Sequence, residues 1–519
     1  MPKRLLVVLP FVLTLLVWLG VGPAGLADVK LPAIIGDNMV VQAGMQAPIY
    51  GWADPGEQVT VTFRGQTLTA TTGDDGKWSV KLAALTAGGP DEMSIAGKSA
   101  ITLKNVLVGE VWVCSGQSNM GMTVQGVSNA PEEIAAATYP QIRLYTVARQ
   151  PSEKPEADAQ GSWVECSPQT VPGFTAAGYF FGRTLYQELN VPIGLINSSW
   201  GGTMAEAWTT HESLEANEMF APVLQRWADG EKNYPEQKAA YDAKLADWKK
   251  RQEEAKAANQ PFTERAPNPP LFDQKQHMPA GLYNGMIAPL IPFGIRGAIW
   301  YQGESNAGRA YAYRTLLPTM IQDWRKNWGE GPFPFYVVQL ANFMARKDVP
   351  GESNWAELRE AQTMTAANVE NCGQAVIIDI GEEKDIHPKN KQDVGKRLAL
   401  IALAKDYGKA VEYSGPLYDS MAVEGNTIRL KFTHAEGLVA KGGEPLRGFA
   451  IAGEDRKFVW AGAKIDGQTV VVSSANVAAP VAVRYDWADN PDGNLYNAAD
   501  LPAGPFRTDD WPGITVNNK

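Results

Sequence analysis

Val108-Gly109-Glu110-Val111-Trp112-Val113 runs directly into Cys114-Ser115-Gly116-Gln117-Ser118-Asn119-Met120, and this junction decides the fold. The first six residues make an apolar, strand-like run, and the small and polar residues after Cys114 read as a tight turn at its end. Similar runs recur at Ile142-Arg143-Leu144-Tyr145, Ile193-Gly194-Leu195-Ile196, Gly297-Ala298-Ile299-Trp300-Tyr301 and Phe335-Tyr336-Val337-Val338, separated by helical stretches. Strands alternating with helices over residues 106–408 predict a parallel sheet covered on both faces. In such a sheet ligands bind at the carboxyl ends of the strands, so chemistry is expected in the segments that follow them.

Outward from this region the pattern changes on both sides. Residues 28–105 hold short strand patterns, including Val59-Thr60-Val61-Thr62-Phe63, divided by Asp54-Pro55-Gly56 and Gly73-Asp74-Asp75-Gly76; they predict a small β-sandwich. Residues 409–519 carry Thr427-Ile428-Arg429-Leu430-Lys431-Phe432 and Thr469-Val470-Val471-Val472, which predict a C-terminal β-domain. A charged Ala/Lys/Glu-rich stretch near residues 237–258, followed by Pro261, Pro267, Pro269 and Pro270, reads as a solvated helix in an insertion spanning about residues 212–275. At the N-terminus, Lys3 and Arg4 precede an apolar run and small residues ending in Gly25-Leu26-Ala27. That order reads as a signal peptide of residues 1–27 and a secreted or periplasmic protein. A membrane anchor is the alternative, since the run approaches the roughly 17 residues a spanning helix needs. No later segment is apolar enough to span a bilayer, so no stable membrane insertion is expected after cleavage.

Across 519 residues, 47 Lys and Arg face 57 Asp and Glu, a net charge of −10 that argues against nucleic acid or an anionic membrane as partner. Three cysteines, Cys114, Cys166 and Cys372, are too few for a disulfide framework or a cysteine-rich zinc site. Only four histidines are present, so a histidine base has few candidates.

Four strand-end segments carry the chemistry. Ser118 follows a strand at a turn where backbone N–H groups can face an anion, although Met120 stands where a Gly-x-Ser-x-Gly elbow has its second glycine; an ordinary helix N-cap is the alternative. Trp200-Gly201-Gly202-Thr203 offers backbone amides for an oxyanion. Trp300-Tyr301-Gln302-Gly303-Glu304-Ser305-Asn306 offers the side-chain amides of Gln302 and Asn306, unless they bond their own loop. Asp385-Ile386-His387-Pro388 supplies an imidazole with a close carboxylate, which is what a serine hydroxyl needs to become a nucleophile.

Together these segments resemble the sialate O-acetylesterases of the SGNH hydrolase superfamily, related also to some acetyl xylan esterases, over roughly residues 28–519. The resemblance implies an SGNH-type, flavodoxin-like α/β/α domain flanked by two β-domains, and a serine esterase needing no metal or cofactor. It makes Ser118 the nucleophile, His387 the base and Asp385 the orienting acid, with Glu383 as a rival or a Ser-His dyad as the alternative. Ser118, Gly201 or Gly202, and Gln302 or Asn306 would form the oxyanion hole. The implied partner is an acetylated carbohydrate, foremost an O-acetylated sialic acid, with acetylated xylan or a non-catalytic carbohydrate-binding role as alternatives. Trp200, Trp208 and Tyr301 are candidates to stack on the sugar, and Arg309 or Arg359 to pair with a sialate carboxylate.

Overall fold

The computed structural model describes residues 28–443 and 445–518. The expected signal peptide lies outside the described residues. Mixed α/β architecture is organised around one long strand, β1 (Ala100–Gly116). Its first residues alternate between exposed and covered, as in a sheet with one wet face, whereas everything from Val106 onward is buried. The amino-terminal part of β1 pairs antiparallel with strand Gly88–Ala96 of the N-terminal β-region, and the rest forms the centre of the α/β sheet. The domain boundary expected between residues 105 and 106 therefore falls inside a continuous strand.

The α/β sheet adds β2 (Tyr139–Thr146), β3 (Trp163–Cys166), β4 (Ile193–Ser199), β5 (Gly297–Tyr301), β6 (Phe335–Val338) and β7 (Cys372–Ala375). Strand order is β7-β6-β5-β1-β4-β2-β3, with every pair parallel except the edge pair β2 and β3. The chain goes to one side of β1 for β2 to β4 and to the other for β5 to β7. The carboxyl end of β1 is thus the crevice where connections diverge.

Alternation along β1 divides the core. Trp112 and Cys114 point to one face, packed with Phe181 of helix α2 (Ala176–Leu189) and Leu398 of helix α5 (Lys391–Lys405). Val111 and Val113 point to the other, with Leu317 and Trp324 of helix α3 (Ala310–Trp328) and Leu358 of helix α4 (Asn354–Asn368). Thr175 caps α2 by accepting from the Gly178 N–H, and Asn390 caps α5 by accepting from Asp393 N–H. Helix α1 (Ser118–Gly121) is a single turn directly after β1.

The strand that precedes the His387 loop is β7, Cys372–Ala375. Its partner β6 ends at Val338, so no ladder continues beyond Ala375. In the insertion, helix Tyr234–Ala257 buries none of its residues. Beyond residue 409, four-stranded sheets built on Thr427–Thr433 and on Phe449–Ala452 enclose a core of Leu430, Ile451, Val472 and Tyr485. All three cysteines are buried and free. No described helix is long and apolar enough to cross a membrane.

Arg359, expected as a carboxylate ligand, is instead fully buried in α4. Its Nε donates to the Leu340 carbonyl (2.8 Å), Nη1 to Ala488 (2.7 Å) and Nη2 to Ala341 (2.8 Å) and Asp489 (2.9 Å). This guanidinium fastens the segment after β6 to the backbone at Ala488 and Asp489. Arg359→Met is expected to cost about 3–5 kcal/mol, because four carbonyls, three of them buried, lose a charged donor. Chemical denaturation followed by tryptophan fluorescence checks this, and a loss below about 1 kcal/mol would contradict the role.

Candidate active site

β1 delivers Ser118 to the surface through a turn that only glycine permits. Gly116 has φ +135°, and a Cβ there would approach the Tyr301 carbonyl oxygen of β5 to 2.2 Å. Ser118 begins α1, partly exposed at the carboxyl edge of the sheet. Across a gap of 269 residues, the His387 loop brings Nε2 to 2.8 Å from Ser118 Oγ. Asp385 accepts the His387 backbone N–H on Oδ1 (2.9 Å), and the same oxygen lies 3.4 Å from His387 Nδ1. Glu383 is exposed and makes no side-chain contact with His387 among the described residues.

The Asp385 side chain is 45% exposed, so water screens its charge. Asp385→Asn keeps the oxygen that holds the His387 backbone. It is expected to lower kcat about tenfold, well short of the roughly 10⁴-fold seen for buried orienting aspartates. Steady-state acetate release checks this; a 10⁴-fold loss would mean that Asp385 is as strongly coupled as a buried partner.

Behind the pair lies a buried polar network absent from the sequence reading. Asn119 Nδ2 donates to Glu304 Oε1 (2.6 Å) and to the Ile386 carbonyl (3.0 Å). Lys391 Nζ donates to Asn119 Oδ1 (2.8 Å) and to the Pro388 carbonyl (2.6 Å). The residues on either side of His387 are therefore tied to the residue beside Ser118. Burial raises the Glu304 pKa above its ordinary value and lowers that of Lys391 to about 7, so each is pushed toward its neutral form. Glu304 and Asn119 stood within the recognised motifs, but nothing in the sequence set Lys391 apart from a solvated lysine at a helix start.

Gly201 sits against Ser118: a Cβ there would be 3.2 Å from Ser118 Cβ. The backbone N–H groups of Ser118, Gly201 and Gly202 have no protein acceptor among the described residues, leaving them able to hold an anion. The side-chain amides are otherwise engaged. Gln302, fully buried, donates to the Thr203 carbonyl (3.2 Å) and Asn306 Oδ1 (2.6 Å), and accepts from the Tyr313 hydroxyl (2.7 Å). Asn306 donates to Glu206 (2.9 Å) and accepts from Ala205 N–H (3.0 Å). Both amides brace the Trp200–Ala205 turn rather than line the cleft, which corrects their expected role as donors to the oxyanion.

A shallow cleft of about 480 Å³ opens above Ser118, lined also by Gly121, Met122, Arg149, Trp200, Gly201 and His387. Of the expected stacking residues only Trp200 lines it. Trp208 and Tyr301 are fully buried; the Trp208 indole donates to Thr203 Oγ1 (3.0 Å) and packs edge-on against Trp300. Arg309 pairs with Glu206, away from the cleft lining. Arg149 was missed, because a lone arginine in a loop carries no sequence signal. Among the described residues no cluster of three or more metal-ligating side chains occurs.

With this geometry in view, comparisons place the chain. A family described as "Carbohydrate esterase, sialic acid-specific acetylesterase" matches residues 108–252 and 275–404, passing over the stretch after the exposed insertion helix. The sialate O-acetylesterase of Rattus norvegicus is 30% identical over 92% of this chain and 94% of its own length. That of Homo sapiens is 31% identical over 98% of each. A carbohydrate acetylesterase from Xanthomonas citri superimposes with a TM-score of 0.80 at 39% identity, covering 93% of this chain and all of its own. The chain is a carboxylic ester hydrolase, and it belongs to the sialic acid-specific acetylesterase family of carbohydrate esterases.

Proposed function

We propose that the protein removes acetyl groups from O-acetylated sialic acids, using Ser118 as nucleophile in an SGNH-type domain. The observation that carries this reading is the 2.8 Å contact between Ser118 Oγ and His387 Nε2 at the floor of an open cleft. The doubly wound sheet supports the SGNH assignment. Its parallel order differs from the flavodoxin arrangement in that β4 lies between β1 and β2.

His387 takes the Ser118 proton as Oγ attacks the acetyl carbonyl, and the resulting oxyanion is held by the backbone N–H groups of Ser118 and of Gly201 or Gly202. The ester bond breaks as His387 protonates the departing sugar oxygen, leaving acetyl-Ser118. Water, deprotonated by His387, then attacks the acetyl group, and the proton returns to Ser118 as acetate leaves. Asp385 orients the imidazole from its Nδ1 side. The open cleft suits a leaving group much larger than acetate.

The N-terminal apolar run supports action outside the cytoplasm, where acetylated glycans are met; cell fractionation tests that placement. Substrate is tested by acetate release from O-acetylated sialic acid and from acetylated xylan in parallel. Release from the sialate supports the proposal, and release from xylan alone overturns it.

A further inference from the structure

We infer that Arg149 forms a carboxylate subsite beside Ser118, which makes the cleft select acetylated sugar acids over neutral acetylated sugars. The inference rests on the assignment of this cleft to acetyl-ester hydrolysis on sugars.

Among the described residues, Arg149 is the only permanently charged side chain lining the cleft. It follows β2 by three residues, on the same sheet edge as Ser118. In a chain with an excess of acids, many arginines are paired with carboxylates, as Arg309 is with Glu206 and Arg397 with Asp379. Arg149 has no ion pair among the described residues. Its Nε donates to the Ser199 carbonyl (3.3 Å), its guanidinium carbon lies 6.0 Å from the centre of the Trp200 ring, and both Nη atoms lack an acceptor among the described residues. The close approach of α1 matters too: a side chain at position 121 would place its Cβ 3.6 Å from Nη2.

A guanidinium held by a carbonyl and an aromatic ring, with both Nη groups left over, matches a planar carboxylate, which accepts two parallel N–H bonds. Arg149 is exposed, and the Ser199 carbonyl and Trp200 ring restrict its side chain, so less conformational entropy is lost on binding than for an arginine with no such contacts. Trp200 meanwhile offers an apolar surface at the same place. The combination distinguishes a sugar carrying an acid group from one that carries only hydroxyls.

The test compares kcat/KM for acetate release from an O-acetylated sialic acid and from its methyl ester, using wild type, Arg149→Gln and Arg149→Lys. The wild type is expected to prefer the free acid by about ten- to a hundredfold, chiefly through KM. Arg149→Gln brings that ratio close to one, and Arg149→Lys restores part of it, since lysine keeps the charge without the fork. General damage to the site lowers both substrates alike and leaves the ratio at its wild-type value, which overturns the subsite. Equal hydrolysis of acid and ester by the wild type also overturns it, leaving the esterase assignment standing. A wild type that hydrolyses neither overturns the sialate reading together with the subsite.

Discussion

Ser118→Ala is expected to lower kcat for acetyl-ester hydrolysis by about 10⁵-fold, the scale seen when a serine nucleophile is removed. Nothing else in the cleft can replace it. Among the lining residues Ser118 carries the only hydroxyl and His387 the only ring nitrogens bonded to one, while Met122 and Trp200 offer no comparable nucleophile. Ser118 is partly exposed, so removing one oxygen leaves no buried group unpaired and the fold should be unaffected. Acetate release by purified wild type and variant, with unfolding curves for both, checks the two halves together. A variant within about tenfold of wild type would mean that the reaction does not pass through Ser118.

His387→Ala comes second, with an expected loss of about 10⁴- to 10⁵-fold in kcat. Without a base the hydroxyl stays protonated at neutral pH, and without an acid the sugar oxygen must leave as an alkoxide. The other described histidines cannot substitute, since none of them lines the cleft. Residues that act as one unit are not additive, so the Ser118→Ala/His387→Ala double variant should be about as slow as the worse single variant. Double-variant kinetics that multiply the two losses would indicate that Ser118 and His387 work independently.

The strand-end segments were legible because each joins an apolar run to small or polar residues, and that transition reads the same in one dimension as in three. The two side chains that meet across the cleft, Ser118 and His387, could therefore be singled out from residues 116–120 and 385–388. What a sequence does not carry is the direction of a side chain once the chain leaves the sheet. Tyr301 ends β5 fully buried and Trp208 packs into the core, although both stood beside motif residues. Arg359 shows the same limit: its bonds reach carbonyls at residues 340 and 488, distances along the chain that no local pattern encodes.

Gln302 and Asn306 were misread for a related reason. An amide at a strand end can face the ligand or its own neighbours, and here Thr203, Ala205 and Glu206 claim both. Lys391 and Arg149 were invisible because burial gives the first its meaning and isolation the second. The β1 boundary was blurred for a simpler physical reason: a strand can change from one-sided to two-sided burial without any break in the backbone, and composition alone registers only the change.

The most direct test of the central claim is covalent labelling. Wild-type protein is treated with a fluorophosphonate, mapped by peptide mass spectrometry, and assayed for acetate release from O-acetylated sialic acid at each extent of labelling. One adduct on Ser118, with activity falling in step with its occupancy, is the predicted result. Full labelling of Ser118 with acetate release retained, or inactivation that tracks an adduct at another residue, would contradict the account.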